Sequence, residues 1–229
     1  MIRGILIATT IFVIWEISCS FFNLPAFMLP PPSKIFASIY MNWSELIIHA
    51  SYTLVEILAS IAIGSMIGIT TALIISSSVT LKRWIMPILL ASQSIPVFAL
   101  APLLILWLGY GMISKIVIGV LIVFFPITSN FTDALNKVPQ ELIDAGKTLN
   151  LSKIQLFWKI KIPSSLPGLC SGLRVAACFA PIGAVVGEWI GGSTGLGSFM
   201  IYSNARLQTD NMFAALLILI FMTITIYKI

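Results

Sequence analysis

The chain has 229 residues, 59% of them apolar and 9% charged, and its mean hydropathy is +1.04. A water-soluble domain carries about 25% charged residues because its surface must be hydrated, so this composition excludes an ordinary soluble protein and implies a surface that faces lipid. The formal net charge of +5 does not indicate nucleic acid, because the basic residues lie in short segments between apolar stretches and form no continuous basic face.

In chain order, apolar stretches predict about six transmembrane helices, near residues 4–22, 53–75, 84–108, 114–131, 168–190 and 212–227. The expected fold is an all-α, multi-pass membrane protein forming one transmembrane domain over residues 1–229. The first stretch reads as a retained anchor rather than a signal peptide, since no small-x-small cleavage site precedes the proline-rich segment and further spans follow. After it, Leu29-Pro30-Pro31-Pro32-Ser33 introduces an interfacial helix, with Ser33 as N-cap and Ile35, Phe36, Ile39, Tyr40 and Trp43 on one face. In the second span Gly64 and Gly68 stand four apart, a spacing that permits close helix approach, expected here within the subunit rather than in dimerisation.

The third stretch is interrupted by Pro96 and Pro102, with polar Gln93 and Ser94 beside the break. Interrupted helices are tolerated where neighbours or a cavity satisfy the freed backbone. Gln93, Ser94 and Pro96 are therefore candidate translocation residues, as are Pro181, Gly183 and Glu188 in the irregular fifth stretch. Ionisable groups at membrane depth are costly, so Glu16, Glu56 and Glu188 either line a path or bond a neighbouring helix.

Cys19, Cys170 and Cys178 read as small apolar core residues, without disulfide or metal-ligand spacing. The single histidine, His49, has no partner in the sequence for metal binding or catalysis, and no nucleophile–histidine arrangement exists, so no catalytic residue is expected. No Gly-x-x-x-x-Gly-Lys-Ser/Thr loop is present, and no cofactor is expected on this chain.

Basic residues orient the chain. With the N-terminus inside, Arg3, Lys82, Arg83, Lys137, Lys147, Lys153, Lys159, Lys161, Arg174 and Lys228 are cytoplasmic, while Lys34, Lys115 and Arg206 are outside. Both termini are thus expected inside. The longest polar region, about 133–167, then lies in the cytoplasm and is the natural docking point for a cytoplasmic partner. In it, Pro139 suits a helix start, Glu141 and Asp144 favour the N-terminal end, and Leu142, Ala145 and Leu149 form a narrow apolar face. Asn150 suits a left-handed helix stop, Ser152 caps a second helix, and Pro163 is expected to end it.

This loop resembles the EAA motif of binding-protein-dependent ABC importer permeases: Glu-Ala-Ala, three residues, Gly, nine residues, then Ile-x-Leu-Pro. Asp144-Ala145-Gly146 stands at the triplet, Asn150 at the glycine, and Ile160-Lys161-Ile162-Pro163 at the end. The spacing is kept, while Asp, Gly, Asn and Ile replace Glu, Ala, Gly and Leu. Gly146 should weaken its helix by roughly 1 kcal/mol relative to alanine. The resemblance implies a type I ABC importer permease fold in a bacterial inner membrane, with Glu141, Asp144, Ala145, Gly146, Leu149, Asn150, Ile160 and Pro163 coupling to an ATPase subunit that carries ATP and Mg. It also implies an extracytoplasmic solute-binding protein, a second copy of the chain as a homodimer, and surrounding lipid.

Trp15-Glu16, Gln93-Ser94-Ile95-Pro96 and the run 101–111 resemble the nitrate/sulfonate/taurine branch. Gly183-Ala184-Val185-Val186-Gly187-Glu188-Trp189 followed by Ser193-Thr194-Gly195-Leu196-Gly197 is similar to permeases for the hydroxymethylpyrimidine precursor of thiamine, or for riboflavin. A secondary transporter or channel acting alone would instead need inverted repeats or a mid-membrane ion relay.

Overall fold

The computed structural model describes residues 2–228; Met1, Ile229 and the side chains of residues 2–5 and Ala8 lie outside the described residues, and with them the Arg3 side chain used for orientation. The chain runs through α1 (Ile2–Phe21), α2 (Pro32–Met41), α3 (Trp43–Ser77), α4 (Val79–Gln93), α5 (Val97–Leu108), α6 (Met112–Asn136), α7 (Gln140–Thr148), α8 (Lys153–Leu156), a π-turn (Phe157–Lys161), α9 (Ile162–Gly191), α10 (Leu196–Ala205) and α11 (Thr209–Lys228). Among the described residues, four helical runs are long and apolar enough to cross a bilayer: α3, α6, the continuous run Lys153–Gly191, and α11. The pair α4 and α5 meets at 93° and makes a fifth span if taken together, while the described apolar part of α1 is the shorter Thr9–Phe21. The six expected stretches therefore resolve into four spans, one bent pair and one shorter apolar helix.

Several boundaries differ from expectation for local reasons. Ser33 is not the N-cap of α2, which begins at Pro32. Instead its backbone N–H and hydroxyl both donate to the Glu16 carboxylate, at 3.0 and 2.8 Å. A carboxylate from α1 thus occupies the positive end of α2, where unpaired N–H groups favour an anion. The break in the third stretch belongs to Pro96 alone, which stands extended just before α5, whereas Pro102 lies inside α5 without ending it. Residues preceding a proline are steered away from helical geometry, and the chain turns at Ser94–Ile95.

Pro163 does not end a helix either. Ser152 and Gln155 form the capping box expected of a helix start, but the helix then widens into the π-turn, where the Ile162 N–H donates to the Phe157 carbonyl five residues back. The wider turn displaces the carbonyl that would oppose the Pro163 ring, and the helix continues to Gly191. The three cysteines also divide: Cys19 is buried, while Cys170 and Cys178 lie on the exposed side of α9.

The core is a layer of three helices, α3, α6 and α9, with α6 between the others. Gly64 and Gly68 of α3 face Val123, Phe124 and Ile127 of α6, so this spacing serves packing within the subunit. On the other side, Gly172 meets Ile127 and Pro126, Gly183 meets Gly119, and Gly187 meets the Lys115 backbone. Lipid offers no hydrophobic drive for helices to associate, so close van der Waals contact of small residues supplies it.

A side chain at Gly183 would place its Cβ 2.7 Å from the Gly119 Cα, a backbone atom that cannot swing aside. Gly183→Val is expected to destabilise the detergent-solubilised protein by about 1–3 kcal/mol or more, seen as a lowered thermal midpoint. Cys178→Val, on the exposed side of the same helix, should stay within about 0.5 kcal/mol.

Candidate functional site

At the inner end, α7 and the start of the long run form a hairpin. Glu141 stands in the first turn of α7 and Lys147 in the last, each matching the helix dipole. The turn between them is a Schellman motif: Leu151 N–H donates to the Gly146 carbonyl, Asn150 N–H to the Lys147 carbonyl, and Asn150 takes φ +56°. Gly146 is the buried residue of α7, and a side chain there would run into Leu156 and Ile160. The glycine therefore costs helix propensity at the one position where α7 rests on the returning helix.

Asp144 is exposed and accepts from Lys147 Nζ at 2.8 Å and Gln140 Nε2 at 3.0 Å. These bonds, Lys147 foremost, hold its carboxyl below the usual aspartate range. Glu141, Ala145, Leu149 and Asn150 are exposed as well, Leu149 at 74%. The candidate coupling residues thus separate into an exposed set on α7 and its turn, and an inner set, Gly146 over Ile160, that fixes the hairpin angle. Pro163 lies exposed at the beginning of α9.

At the opposite end, a buried polar cluster joins four helices. Lys115 is no loop charge: it is 3% exposed, pairs with Glu56 Oε1 at 2.9 Å and donates to the Thr194 carbonyl at 2.8 Å. Three consecutive backbone N–H groups at the start of α10 are met by side chains. Gly195 N–H donates to His49 Nδ1 at 3.0 Å, Leu196 N–H to Thr53 Oγ1 at 2.8 Å, and Gly197 N–H to Glu188 Oε2. Thr53 in turn donates to Glu188 Oε1 at 2.6 Å. Gly195, at φ +113°, leaves the space that the Glu188 carboxylate fills.

Glu188 consequently does not face an open path; it is fully buried and ties α9 to α10 and α3. Pro181 and Gly183 are likewise buried, Gly183 in the α6–α9 packing. Gln93, Ser94 and Pro96 are exposed at the α4–α5 bend. Gln93 lines a cleft of about 400 Å³ with Ser129, Asn130 and Phe179. Among the described residues no group of His, Cys, Asp and Glu could hold a metal ion.

With this geometry in view, residues 60–229 match the family described as "Binding-protein-dependent transport system inner membrane component". The chain belongs to this family. It is 44% identical over 227 residues to a probable ABC transporter permease protein of Haemophilus influenzae, covering 99% of this chain and 93% of the relative. It is 38% identical over 208 residues to the formylaminopyrimidine transport permease protein ThiX of Halalkalibacterium halodurans, covering 90% and 83%. The fold is shared with the MetNI methionine ABC transporter in inward-facing conformations, at TM-score 0.69 and 22% identity over 79% of this chain and 91% of that one. As a member of this family the chain is an ABC importer permease subunit of the inner membrane, a transport component rather than an enzyme, that works with an ABC ATPase and a binding protein.

Sequence reasoning did not find the outer cluster as a unit. His49 and Thr53 carry no motif, and Lys115 reads as one of the outside charges, at the start of the fourth stretch. The sequence signal was the run Ser193-Thr194-Gly195-Leu196-Gly197 nine residues or fewer after Glu188, which brings a glycine-bounded helix start within reach of a carboxylate.

Removing the ammonium leaves buried carboxyls uncompensated, which typically costs about 3–5 kcal/mol. Lys115→Met is expected to lose stability on that scale in denaturant or thermal unfolding of the solubilised permease. The double variant Lys115→Met/Glu56→Leu should recover a large part of the loss, because it removes both ends of the pair.

Proposed function

We propose that the exposed face of α7, bearing Glu141, Asp144, Ala145, Leu149 and Asn150, is the surface on which the ATPase subunit docks, with Gly146, Ile160 and Pro163 setting the angle at which it is presented. ATP and Mg are handled by that ATPase, and two copies of this chain stand side by side around the solute path. The observation that carries this reading is the hairpin itself. An exposed, acid-bearing helix is locked by a Schellman turn and packed onto a helix of 39 residues that runs to the far end of the molecule. The α4–α5 bend, with Gln93 lining an open cleft beside Asn130 and with Ser94 and Pro96 exposed next to it, is the proposed polar stretch of the path.

The solute we propose is an aminopyrimidine related to thiamine precursors. Support comes from the relative named for formylaminopyrimidine transport and from the similarity of residues 183–197 to permeases of that kind. The binding protein delivers the solute at the end where α10 lies.

Two outcomes test this reading. Asp144→Lys reverses the charge on the docking face and is expected to reduce ATPase co-purification and solute uptake at least ten-fold, with the permease still folded; unchanged association would refute the docking face. Because the Asp144 carboxyl is held below the usual aspartate range, its charge is present throughout neutral pH and is lost only in acid below that range. Association of wild-type subunits should therefore show no titration from this residue between about pH 5 and 8. For the solute, the reconstituted complex with its binding protein should accumulate formylaminopyrimidine or hydroxymethylpyrimidine in an ATP-dependent way; accumulation of riboflavin or taurine in their place would reassign it.

A further inference from the structure

Between the inner end of α3 and the start of the long helical run lies a groove of about 430 Å³, whose lining includes Ser76, Ser77, Lys153, Phe157, Trp158 and Lys161. No carboxylate lines it. Among the described residues the two salt bridges are Lys115–Glu56 and Lys147–Asp144, so neither Lys153 nor Lys161 is paired. The Ser76 hydroxyl finds no hydrogen-bond partner in the protein. The walls are otherwise apolar, and Trp158, 60% exposed, stands edge-on to Phe157 with ring centroids 6.3 Å apart.

The groove also has a defined depth. It sits where α3 ends, at Ser77, and where the long run enters the apolar layer. Two unpaired ammonium groups at that level, beside an exposed indole, match the boundary between headgroups and acyl chains. Tryptophan favours that boundary, and basic pockets between helices on the cytoplasmic side suit anionic headgroups. A water-filled groove would leave Trp158 and Ile154 (73% exposed) against solvent without benefit.

We infer that this groove binds an anionic phospholipid of the inner leaflet, its phosphate held between Lys153 and Lys161 and its glycerol and first acyl carbons lying along Phe157 and Trp158. The lipid bridges the end of α3 to the base of the α7 hairpin, so the hairpin's rigidity depends on the anionic lipid content of the leaflet. The inference rests on the fold and orientation, and stands whether or not the α7 face is the ATPase docking surface.

The test uses the complete permease–ATPase complex in nanodiscs of phosphatidylcholine containing increasing phosphatidylglycerol. Retained lipid is read by native mass spectrometry, and ATPase rate is followed against lipid composition. The wild type should retain phosphatidylglycerol and be activated by it. In Lys153→Gln/Lys161→Gln, each lost charge should weaken retention about five-fold, roughly 25-fold for the pair, and shift activation to correspondingly higher phosphatidylglycerol. Lys153→Arg/Lys161→Arg should keep the wild-type dependence, which separates loss of charge from loss of fold. Equal retention and equal activation in the glutamine variant would overturn the inference. So would unchanged lipid retention with loss of the ATPase subunit, which would assign both lysines to a protein contact.

Discussion

The first N–H groups of a helix have no carbonyl behind them to accept their hydrogen bonds, and in a membrane protein such groups must be satisfied from within. At the start of α10 three of them are met by His49, Thr53 and Glu188, side chains from two different helices. Beside this cap Lys115, from a third helix, pairs with Glu56 of α3 and bonds the Thr194 carbonyl just before α10. One local requirement, the capping of a short helix, thereby joins α3, α6, α9 and α10 at a single point. The approach of these backbones is possible only because Gly187 lies against Lys115 and Gly195 against Glu188. A side chain at Gly187 would run into the Lys115 backbone and one at Gly195 into the Glu188 carboxylate, so enlarging either glycine would push the cluster apart.

The same helix that carries Glu188 at one end carries the hairpin contact at the other. Ile160, under Gly146, belongs to the 39-residue run that ends at Gly191. A helix interrupted at Pro163 would have left hairpin and outer cluster on separate bodies. The π-turn Phe157–Lys161 prevents that interruption, and π-turns of this kind recur at functional positions in helices. A force applied to α7 therefore meets a continuous helix, packed along most of its length against α6 through small residues. The mechanical reading of the hairpin as a coupling element gains its content from this continuity more than from the acidic residues themselves.

How much of this was legible beforehand depended on whether the signal was local. The hairpin was readable almost in full, because its determinants sit within a few residues of each other: Pro139 before the start, Asn150 in the left-handed turn, Ser152 as the cap of the second helix. The Gly64/Gly68 spacing also spoke correctly of helix approach, since four residues is one turn. What sequence could not supply was the identity of the neighbour across the fold. Ser33 looked like a cap until Glu16 from another helix took its donors. Pro163 looked like a stop until the turn before it widened. Pro181, Gly183 and Glu188 looked like an irregular, polar stretch suited to a path, and are buried, Gly183 against α6 and Glu188 against α3 and α10. Composition reports that a helix is irregular, but not which neighbour makes use of it.

The distribution of buried residues then decides where the molecule deforms most cheaply. Sliding α9 along α6 would separate Gly183 from Gly119 and Gly187 from Lys115, and would draw the buried Glu188 away from the Thr53 hydroxyl of α3. Opening the α4–α5 bend asks for much less. α4 buries none of its residues, α5 buries two, and the turn between them is exposed. Elements with few buried contacts open at low free energy, and proline at the turn already fixes a geometry in which no helical hydrogen bond has to break. A permease must keep its helices packed while changing access to its path. In this chain α3, α6 and α9 are the elements that hold, and the cleft between α6 and the bend has one wall, with Gln93, on the pair that opens cheaply.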